Sequence, residues 1–352
     1  MPDVPDLPRL DVPVIAAPMA GGPSTPALVA AVGDAGGLGF LAGGYLSAEA
    51  FDEQLSSCGG RPLAANLFLP ADPDPDPDGR ATAVAAYADE LRGEAERRGV
   101  ALGEPRTDDD AVDAKIAVLA RHRPAVVSVT FALPSPARFA ALRDTGAALM
   151  ATVTSVDEAR AAAAQGFDAL WVQGAEAGGH RGVHHDAGGD PEAGAAPLAR
   201  LLPAVRAATD LPLVAAGGIT DGAGVARVLA EGAVAAALGT GFLCCPEAGT
   251  SATHRAALLG WSGSRSRDTV VTRAFTGRPA RALANAFSDA HSAAAPAAYP
   301  ELHHLTRPLR SAASAAGDPD GLHLWAGTGW RTVTEEPAGE LVARLERERR
   351  GA

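Results

Sequence analysis

Short apolar runs alternate with alanine-rich helical stretches from about residue 13 to residue 260. This alternation predicts a βαβα chain that forms a parallel sheet. Most runs are continuous, without polar residues at every second position, so we expect helices to cover both faces of the sheet. Eight such strands close a (β/α)8 TIM barrel of the α/β class. The runs are Val14 to Pro18, Leu38 to Gly43, Leu63 to Phe68, Val126 to Phe131, Leu149 to Val153, Ala169 to Gly174, Leu213 to Gly218 and Ala235 to Phe242.

Helix start signals follow several of these strands after a short turn. They are polar residues that can accept a hydrogen bond from the first helical turn. The residues of such turns lie at the C-terminal mouth of a (β/α)8 barrel, where this fold builds its sites. The candidate starts are Ser24 with Pro26 just inside, Ser47, Thr154 or Ser155, and Thr220 with Asp221.

Two regions interrupt the alternation. Residues 72–79 alternate acid and proline and predict an extended, exposed spacer without helix or central strand. We therefore divide the chain into a barrel over 1–260, with this spacer and a cover insertion at about 70–122, and a smaller cover or substrate domain over 261–352. Within the second region we expect a strand at Thr269 to Phe275 and helices near Arg278 to Phe287 and Glu340 to Arg350.

Composition and charge narrow the choice of partners. The 352 residues are 47% hydrophobic and 20% charged, which is typical of a globular protein. The formal net charge of −12 repels nucleic-acid phosphates and anionic lipids, and the 5% of aromatic residues offers little surface for base stacking. We expect a small-molecule substrate and neither a nucleic-acid nor a membrane partner, while a homodimer stays open.

Three further features bear on compartment and chemistry. The cysteines Cys58, Cys244 and Cys245 match neither a CxxC redox pair nor a zinc spacing. The N-terminal MPDVPDLPRL has acids and prolines where a secretory signal has a basic and then an apolar stretch, so we expect a cytoplasmic protein. Lys115, the only lysine, lies in a charged helical stretch and is expected to be solvated.

The strongest chemical signal is the glycine-rich segment from Gln173 to Gly182, which leaves the sixth strand. Gly178 and Gly179 let a ligand approach the backbone, and His180 beside them can exchange a proton near neutral pH. Loops at this end of the barrel carry function more often than other loops. We interpret His180 as a candidate catalytic residue.

Two glycine turns predict an anion site. Gly217-Gly218 follows the seventh strand, and Leu238-Gly239-Thr240 lies at the eighth. The loops after these two strands are the usual phosphate site of this fold, because glycine turns and helix N-termini present backbone N–H groups. Pro18-Met19, Asn66 and Gln173 lie at other strand ends of the same mouth, which suits a planar heterocycle that carries a phosphate.

The histidine-rich stretches do not predict a metal site. One cluster follows the sixth strand, and its spacing matches no ligand pattern. The pair His303-His304 is interpreted as an exposed loop. The cluster consists of His180, His184, His185 and Asp186.

The motifs in this order resemble the nitronate monooxygenase family, formerly called 2-nitropropane dioxygenases. The resemblance covers essentially the whole chain apart from the acid-proline spacer. It is carried by Ala17-Pro18-Met19, Asn66, the EAGGHRG loop that ends at Gly182, Ala216 to Ile219, Leu238 to Thr240, Phe275 to Pro279 and Leu324 to Gly327.

The resemblance implies FMN across the barrel mouth and His180 as the active-site histidine. It also implies oxidation of alkyl nitronates, and of nitroalkanes in some members, with O2 to a carbonyl compound and nitrite, without a nicotinamide coenzyme. Gly217, Gly218, Gly239 and Thr240 would hold the phosphate, and Met19, Asn66, Gln173 and Gly178 would surround the ring and ribityl chain. Pro18, Gly179 and Leu238 complete the implied cofactor-binding set.

Other functions remain open at this point. An FMN-dependent enoyl reductase shares the AGGH element but takes hydride from NAD(P)H. A related flavin oxidoreductase of secondary metabolism is a further alternative. A flavin-binding protein without turnover would keep the binding residues alone. A sugar-phosphate isomerase or aldolase would need a lysine or carboxylate at a strand end, and we find no convincing one.

Overall fold

The computed structural model describes residues 7–59, 63–70, 75–260 and 268–352. Within these ranges eight parallel strands form a closed barrel, which confirms the predicted (β/α)8 architecture. The strands of the described residues are Val14–Ala16 (β1), Leu38–Ala42 (β2), Ala64–Phe68 (β3), Val126–Thr130 (β4), Ala148–Val153 (β5), Ala169–Gln173 (β6), Gly179–His180 (β7), Leu213–Ala216 (β8), Ala235–Leu238 (β9), Thr269–Thr272 (β10) and Ala280–Leu283 (β11).

The barrel order is β1-β2-β3-β4-β5-β6-β8-β9, and β9 closes it against β1 by pairing Ala237 with Ile15. Side chains fill its interior, where Phe40 and Trp171 meet edge to face at 5.2 Å. The outer faces of the strands pack against the helices in one large apolar cluster. Burial on both sides explains why the strands are continuous apolar runs.

Helices surround the barrel and form part of the cover. Three of the predicted caps are confirmed, since Ser47, Ser155 and Asp221 each accept a backbone N–H from the first turn. The first cap is Thr25, one residue later than predicted, while Ser24 accepts the Met19 N–H instead. The helices of the described residues are Pro26–Asp34 (α1), Ala48–Ser56 (α2), Pro77–Glu90 (α3), Arg92–Arg98 (α4), Val112–His122 (α5), Pro136–Arg143 (α6), Val156–Gln165 (α7), Leu198–Arg206 (α8), Gly222–Ala230 (α9), Ala252–Gly260 (α10), Ala286–His291 (α11), Glu301–Ala315 (α12) and Ala338–Gly351 (α13).

A cover lies over the C-terminal mouth. Its antiparallel sheet has the order β10-β11-β7, so the short strand that carries His180 pairs with β11. Helices α3, α4, α11 and α12 pack against each other in a separate apolar cluster that includes Phe275. The helix predicted near Glu340 to Arg350 is α13, and it packs between α1 and α9 of the barrel rather than in the cover.

Several local predictions were wrong. The stretch predicted as one helix near Arg278 to Phe287 is strand β11 followed by α11, because β11 gains β7 and β10 as partners and Asn285 caps α11. The acid-proline stretch was expected to exclude helix, yet its last residues open α3. Proline is tolerated in a first helical turn, and Asp76 accepts the Gly79 N–H.

The last two barrel strands are shorter than predicted. The seventh ends at Ala216 because Gly217 and Gly218 turn with positive φ. The eighth ends at Leu238, and a 3-10 turn occupies Thr240–Phe242.

Spacer residues 72–74 and the start of the predicted second domain at Trp261 lie outside the described residues, and the domain division stays a prediction. None of the described helices is long and apolar enough to cross a membrane.

Candidate active site

A cavity of about 1100 Å³ lies between the barrel mouth and the cover. It is large enough for a nucleotide-sized ligand and a small substrate together. Every residue that the sequence predicted for the site lines this cavity. These are Pro18, Met19, Asn66, Gln173, Gly178, Gly179, His180, Gly217, Gly218, Leu238, Gly239 and Thr240.

His180 enters the cavity from β7 with its ring among aromatic side chains. The nearest ring centroids are those of Trp325 at 5.3 Å, Phe131 at 5.7 Å and Tyr299 at 5.9 Å. Its Nε2 lies 2.9 Å from the Thr276 hydroxyl oxygen. The Thr276 hydroxyl can donate its hydrogen to the Arg278 carbonyl at 3.5 Å, so it is free to accept one from His180. This favours the tautomer of His180 that has its hydrogen on Nε2 and leaves Nδ1 unprotonated.

Burial, together with the nearby cations Arg278 and Arg310, lowers the pKa of His180 to about 3. The ring is therefore neutral at physiological pH. Neither guanidinium forms an ion pair with a carboxylate of the described residues. Buried charges of this kind require compensation. The cavity around His180 is thus suited to a negatively charged ligand.

The loop that carries His180 is held from two sides. Gln173 donates to the His180 carbonyl at 3.0 Å and accepts the Gly182 N–H at 2.7 Å. Arg278 donates to the carbonyls of Arg181 and Val183. Gln173 lines the cavity as predicted, but its two amide atoms are engaged in positioning the histidine.

The Arg278 guanidinium also stacks on the ring of Phe131, with its carbon 3.9 Å from the ring centroid. Phe131 ends β4 at the barrel mouth with φ of +85°, in the left-handed region that a bulky residue rarely adopts. The cation and the neighbouring Phe68 ring, 4.4 Å away between centroids, hold it there. Backbone strain thus coincides with the wall of the cavity beside His180.

We use the name anion cradle for Gly217, Gly218, Gly239 and Thr240. Among the described residues, the backbone N–H groups of its three glycines have no hydrogen-bond acceptor. The Thr240 hydroxyl accepts the Gly327 N–H at 2.9 Å, so its own hydrogen is free to donate. A methyl group built on Gly239 meets nothing closer than 3.7 Å, so this glycine leaves room over the cradle for a ligand.

Asn66 lies within β3, two residues before its C-terminal end, and lines the cavity. Its amide nitrogen donates to the Ser128 hydroxyl at 2.8 Å and to the Thr130 hydroxyl at 3.0 Å. The amide oxygen makes no hydrogen bond within the described part of the chain and is available to accept one from a ligand. Met19 follows β1 and adds an apolar contact to the same cavity.

The sequence did not predict the wall that α12 contributes. The pair His303-His304 is not an exposed loop: both lie in α12, and His303 is buried with its ring stacked at 4.0 Å on Tyr45. Arg310, two turns later on the same helix, donates to the His303 carbonyl at 2.8 Å. Histidine and arginine at helical spacing in a segment with buried leucines were the available signal.

No metal site is found in the described ranges, where no group of three or more His, Cys, Asp or Glu side chains could hold an ion. The cluster near His184 is explained by other contacts. His184 contacts the Thr152 carbonyl at 2.8 Å, and Asp186 pairs with the buried Arg273 at 2.6 Å.

Cys244 and Cys245 are buried free thiols whose pKa values are raised by burial, to about 11 and about 12.

A (β/α)8 barrel with a cavity at its C-terminal mouth, glycine turns after its last two strands and a buried histidine is typical of barrel enzymes. The model of the nitronate monooxygenase family matches residues 8–348. The chain therefore belongs to the nitronate monooxygenase family, a family of oxidoreductases.

Individual relatives agree with this assignment. The chain is 40% identical to the nitronate monooxygenase of Paraburkholderia phytofirmans, over 96% of this chain and 92% of that one. It is 38% identical to the nitronate monooxygenase of Pseudomonas aeruginosa, over 96% of both chains. The crystal structure of nitroalkane oxidase from Streptomyces ansochromogenes matches with a TM-score of 0.91 and 46% identity, over 97% of this chain and 96% of that one. FabK from Thermotoga maritima, at TM-score 0.72 and 23% identity, shares the fold.

Proposed function

We propose that this protein oxidises alkyl nitronates with O2, using bound FMN, to a carbonyl compound and nitrite. The overall change balances when one O2 serves two nitronates. The observation that carries the proposal is the neutral His180 beside two buried guanidinium groups, in a cavity that also contains an anion cradle. Family membership supports the reaction class.

The residues present fit FMN. The unpaired N–H groups of Gly217, Gly218 and Gly239 and the Thr240 hydroxyl supply donors for a phosphate. The free amide oxygen of Asn66 and the side chain of Met19 offer one polar and one apolar contact for a planar ring. When bound, the flavin supplies the capacity to accept electrons from the substrate and to pass them on to O2.

The charges in the cavity favour a nitronate over its neutral nitroalkane. A general base is most effective when its pKa lies near the working pH, and a pKa of about 3 leaves His180 a weak base for a carbon acid. A nitronate has already lost that proton and carries a negative charge that Arg278 and Arg310 attract. An anion beside the ring also raises the pKa of His180, so its imidazole can hold a proton against the nitronate oxygens.

The test compares His180→Asn with His185→Asn, a substitution of an exposed histidine in the same loop that does not line the cavity. Oxygen consumption and nitrite are followed with ethyl nitronate and with nitroethane, at equal FMN content. With ethyl nitronate we expect His180→Asn to retain FMN and to lose about 10²-fold to 10³-fold in kcat/KM, with the control unchanged. Full turnover by His180→Asn would remove the histidine from the mechanism.

The identity of the flavin as FMN, the use of O2, a homodimeric state and a cytoplasmic location are proposals of the same kind. Reconstitution of cofactor-free protein with FMN, FAD or riboflavin tests the first. Binding that requires the phosphate supports the anion cradle, and equal affinity for riboflavin contradicts it.

A further inference from the structure

The only lysine of the chain is not solvated, contrary to the expectation from its charged helix. Lys115 is 0% exposed on α5, and its Nζ lies 2.7 Å from Oδ2 of Asp110. A buried ammonium is costly unless a carboxylate compensates it, and only a specific partner makes the position tolerable. Burial raises the pKa of Asp110 to about 6, and Lys115 opposes this shift.

Asp110 joins this buried lysine to the rim of the cavity. Its second oxygen, Oδ1, accepts the backbone N–H of Tyr45 at 2.9 Å. Nearby carboxylates are engaged elsewhere, since Asp108 contacts His304 at 2.7 Å and Asp109 contacts Arg138 at 3.1 Å. Among the described residues, Lys115 is the cation paired with Asp110.

The linked residues have an unfavourable backbone conformation. Tyr45 has φ of +69°, Asp110 of +55° and Ala111 of +51°, all in the left-handed region. Residues other than glycine rarely adopt this region, because their Cβ lies too close to the following carbonyl oxygen, although Asp tolerates it better than most. Such positions persist only when surrounding contacts fix them, and they gather at functional sites. The Lys115–Asp110 pair supplies a contact of this kind.

Tyr45 places its ring in the cavity wall. The ring stacks on His303 at 4.0 Å with 2° between the planes, and it meets Phe68 edge to face at 5.5 Å. Phe68 in turn lies 6.4 Å from the His180 ring between centroids. Burial raises the pKa of the Tyr45 hydroxyl to about 12, so it stays protonated. The position of this ring therefore limits the space available to a substrate next to His180.

We propose that Lys115 and Asp110 are positioning residues, which fix the strained backbone of Tyr45 and so set how tightly the cavity binds its substrate. Lys115 holds the Asp110 carboxylate, the carboxylate holds the Tyr45 N–H, and the Tyr45 ring shapes the wall. The effect on substrate binding rests on the proposed function, whereas the effect on the Tyr45 backbone does not.

The test compares two double variants, Lys115→Met with Asp110→Asn and Lys115→Met with Asp110→Gly. Both remove the buried pair, and Asn and Gly both tolerate positive φ. Only Asn keeps an oxygen that can accept the Tyr45 N–H. The matched pair therefore isolates the hydrogen bond and avoids the unpaired buried charge that a single variant would leave.

We measure KM and kcat for ethyl nitronate, FMN content and hydrogen exchange of the Tyr45 amide. The Asn variant keeps the hydrogen bond but loses the lysine that holds its acceptor, so its KM and Tyr45 amide protection should lie between those of wild type and the Gly variant. The Gly variant should show about tenfold faster exchange and about tenfold higher KM, with kcat and FMN content unchanged. Equal KM values in the two variants, or equal protection, would overturn the proposal. If the wild-type protein does not turn over nitronate, the proposed function fails, and amide exchange still decides the positioning claim.

Discussion

Replacement of His254 by glutamine should make the protein less sensitive to acid. His254 lies in α10 and is 7% exposed, and its Nε2 has no hydrogen-bond partner among the described residues. Burial lowers its pKa from 6.5 to about 4, partly opposed by a hydrogen bond to the Trp325 backbone. The unfolded chain therefore binds a proton at a higher pH than the folded chain does.

The sign and size of the effect follow from this difference. Stability contributed by the neutral histidine is fully present above pH 6.5 and is lost as the pH falls toward 4. The linkage relation gives a loss of about 2 kcal/mol at pH 5 relative to pH 8. Glutamine does not titrate, so the difference in unfolding free energy between wild type and His254→Gln should shift by about this amount across the same interval.

Urea denaturation at pH 8, 7, 6 and 5, with a fixed excess of FMN, measures this difference. His185→Gln, at an exposed position, is the matched control and should run parallel to wild type. Parallel curves for wild type and His254→Gln would refute the argument, because they would mean that His254 binds its proton equally well in the folded and unfolded states.

Three further predictions concern the anion cradle, the packing of Gly178 and the electrostatics of His180. Gly239→Ala should leave the melting temperature almost unchanged, because the added methyl lies at least 3.7 Å from its neighbours, yet weaken FMN binding at least tenfold in a fluorescence titration. Gly178→Ala should instead destabilise the fold, since its methyl would lie 2.4 Å from the Gly327 nitrogen. Unchanged FMN affinity in Gly239→Ala, or an unchanged melting temperature in Gly178→Ala, would contradict these expectations. Arg278→Gln should raise the pKa of His180 toward 6.5, because one nearby cation is lost, and an unmoved imidazole titration by NMR would show that Arg278 does not act on the ring.

The local sequence was sufficient to predict the barrel fold and the position of the cavity at its mouth. The strands are short, apolar and buried on both faces, and parallel strands bring their C-terminal ends to one mouth. Residues as distant as Asn66 and Gly239 could therefore be assigned to the same cavity from their places at strand ends.

Features that depend on distant partners were not predicted. Strand β11 forms because Ala280 pairs with His180, and neither segment has a strand pattern of its own. Lys115 is buried against Asp110, which directly precedes the α5 cap and also accepts the N–H of the distant Tyr45, and helical charge patterns give no sign of these contacts. The aromatic stack of Tyr45 on His303 likewise joins two segments far apart in the chain.

The most direct test of nitronate oxidation by a bound flavin is anaerobic mixing of the purified yellow protein with ethyl nitronate, followed by admission of O2. We expect nitronate alone to change the flavin absorbance, NADH and NADPH to leave it unchanged, and O2 then to restore the spectrum with release of nitrite. Flavin that is inert to nitronate but bleached rapidly by NADH or NADPH would contradict nitronate oxidation as the function and place this barrel with the nicotinamide-dependent reductases.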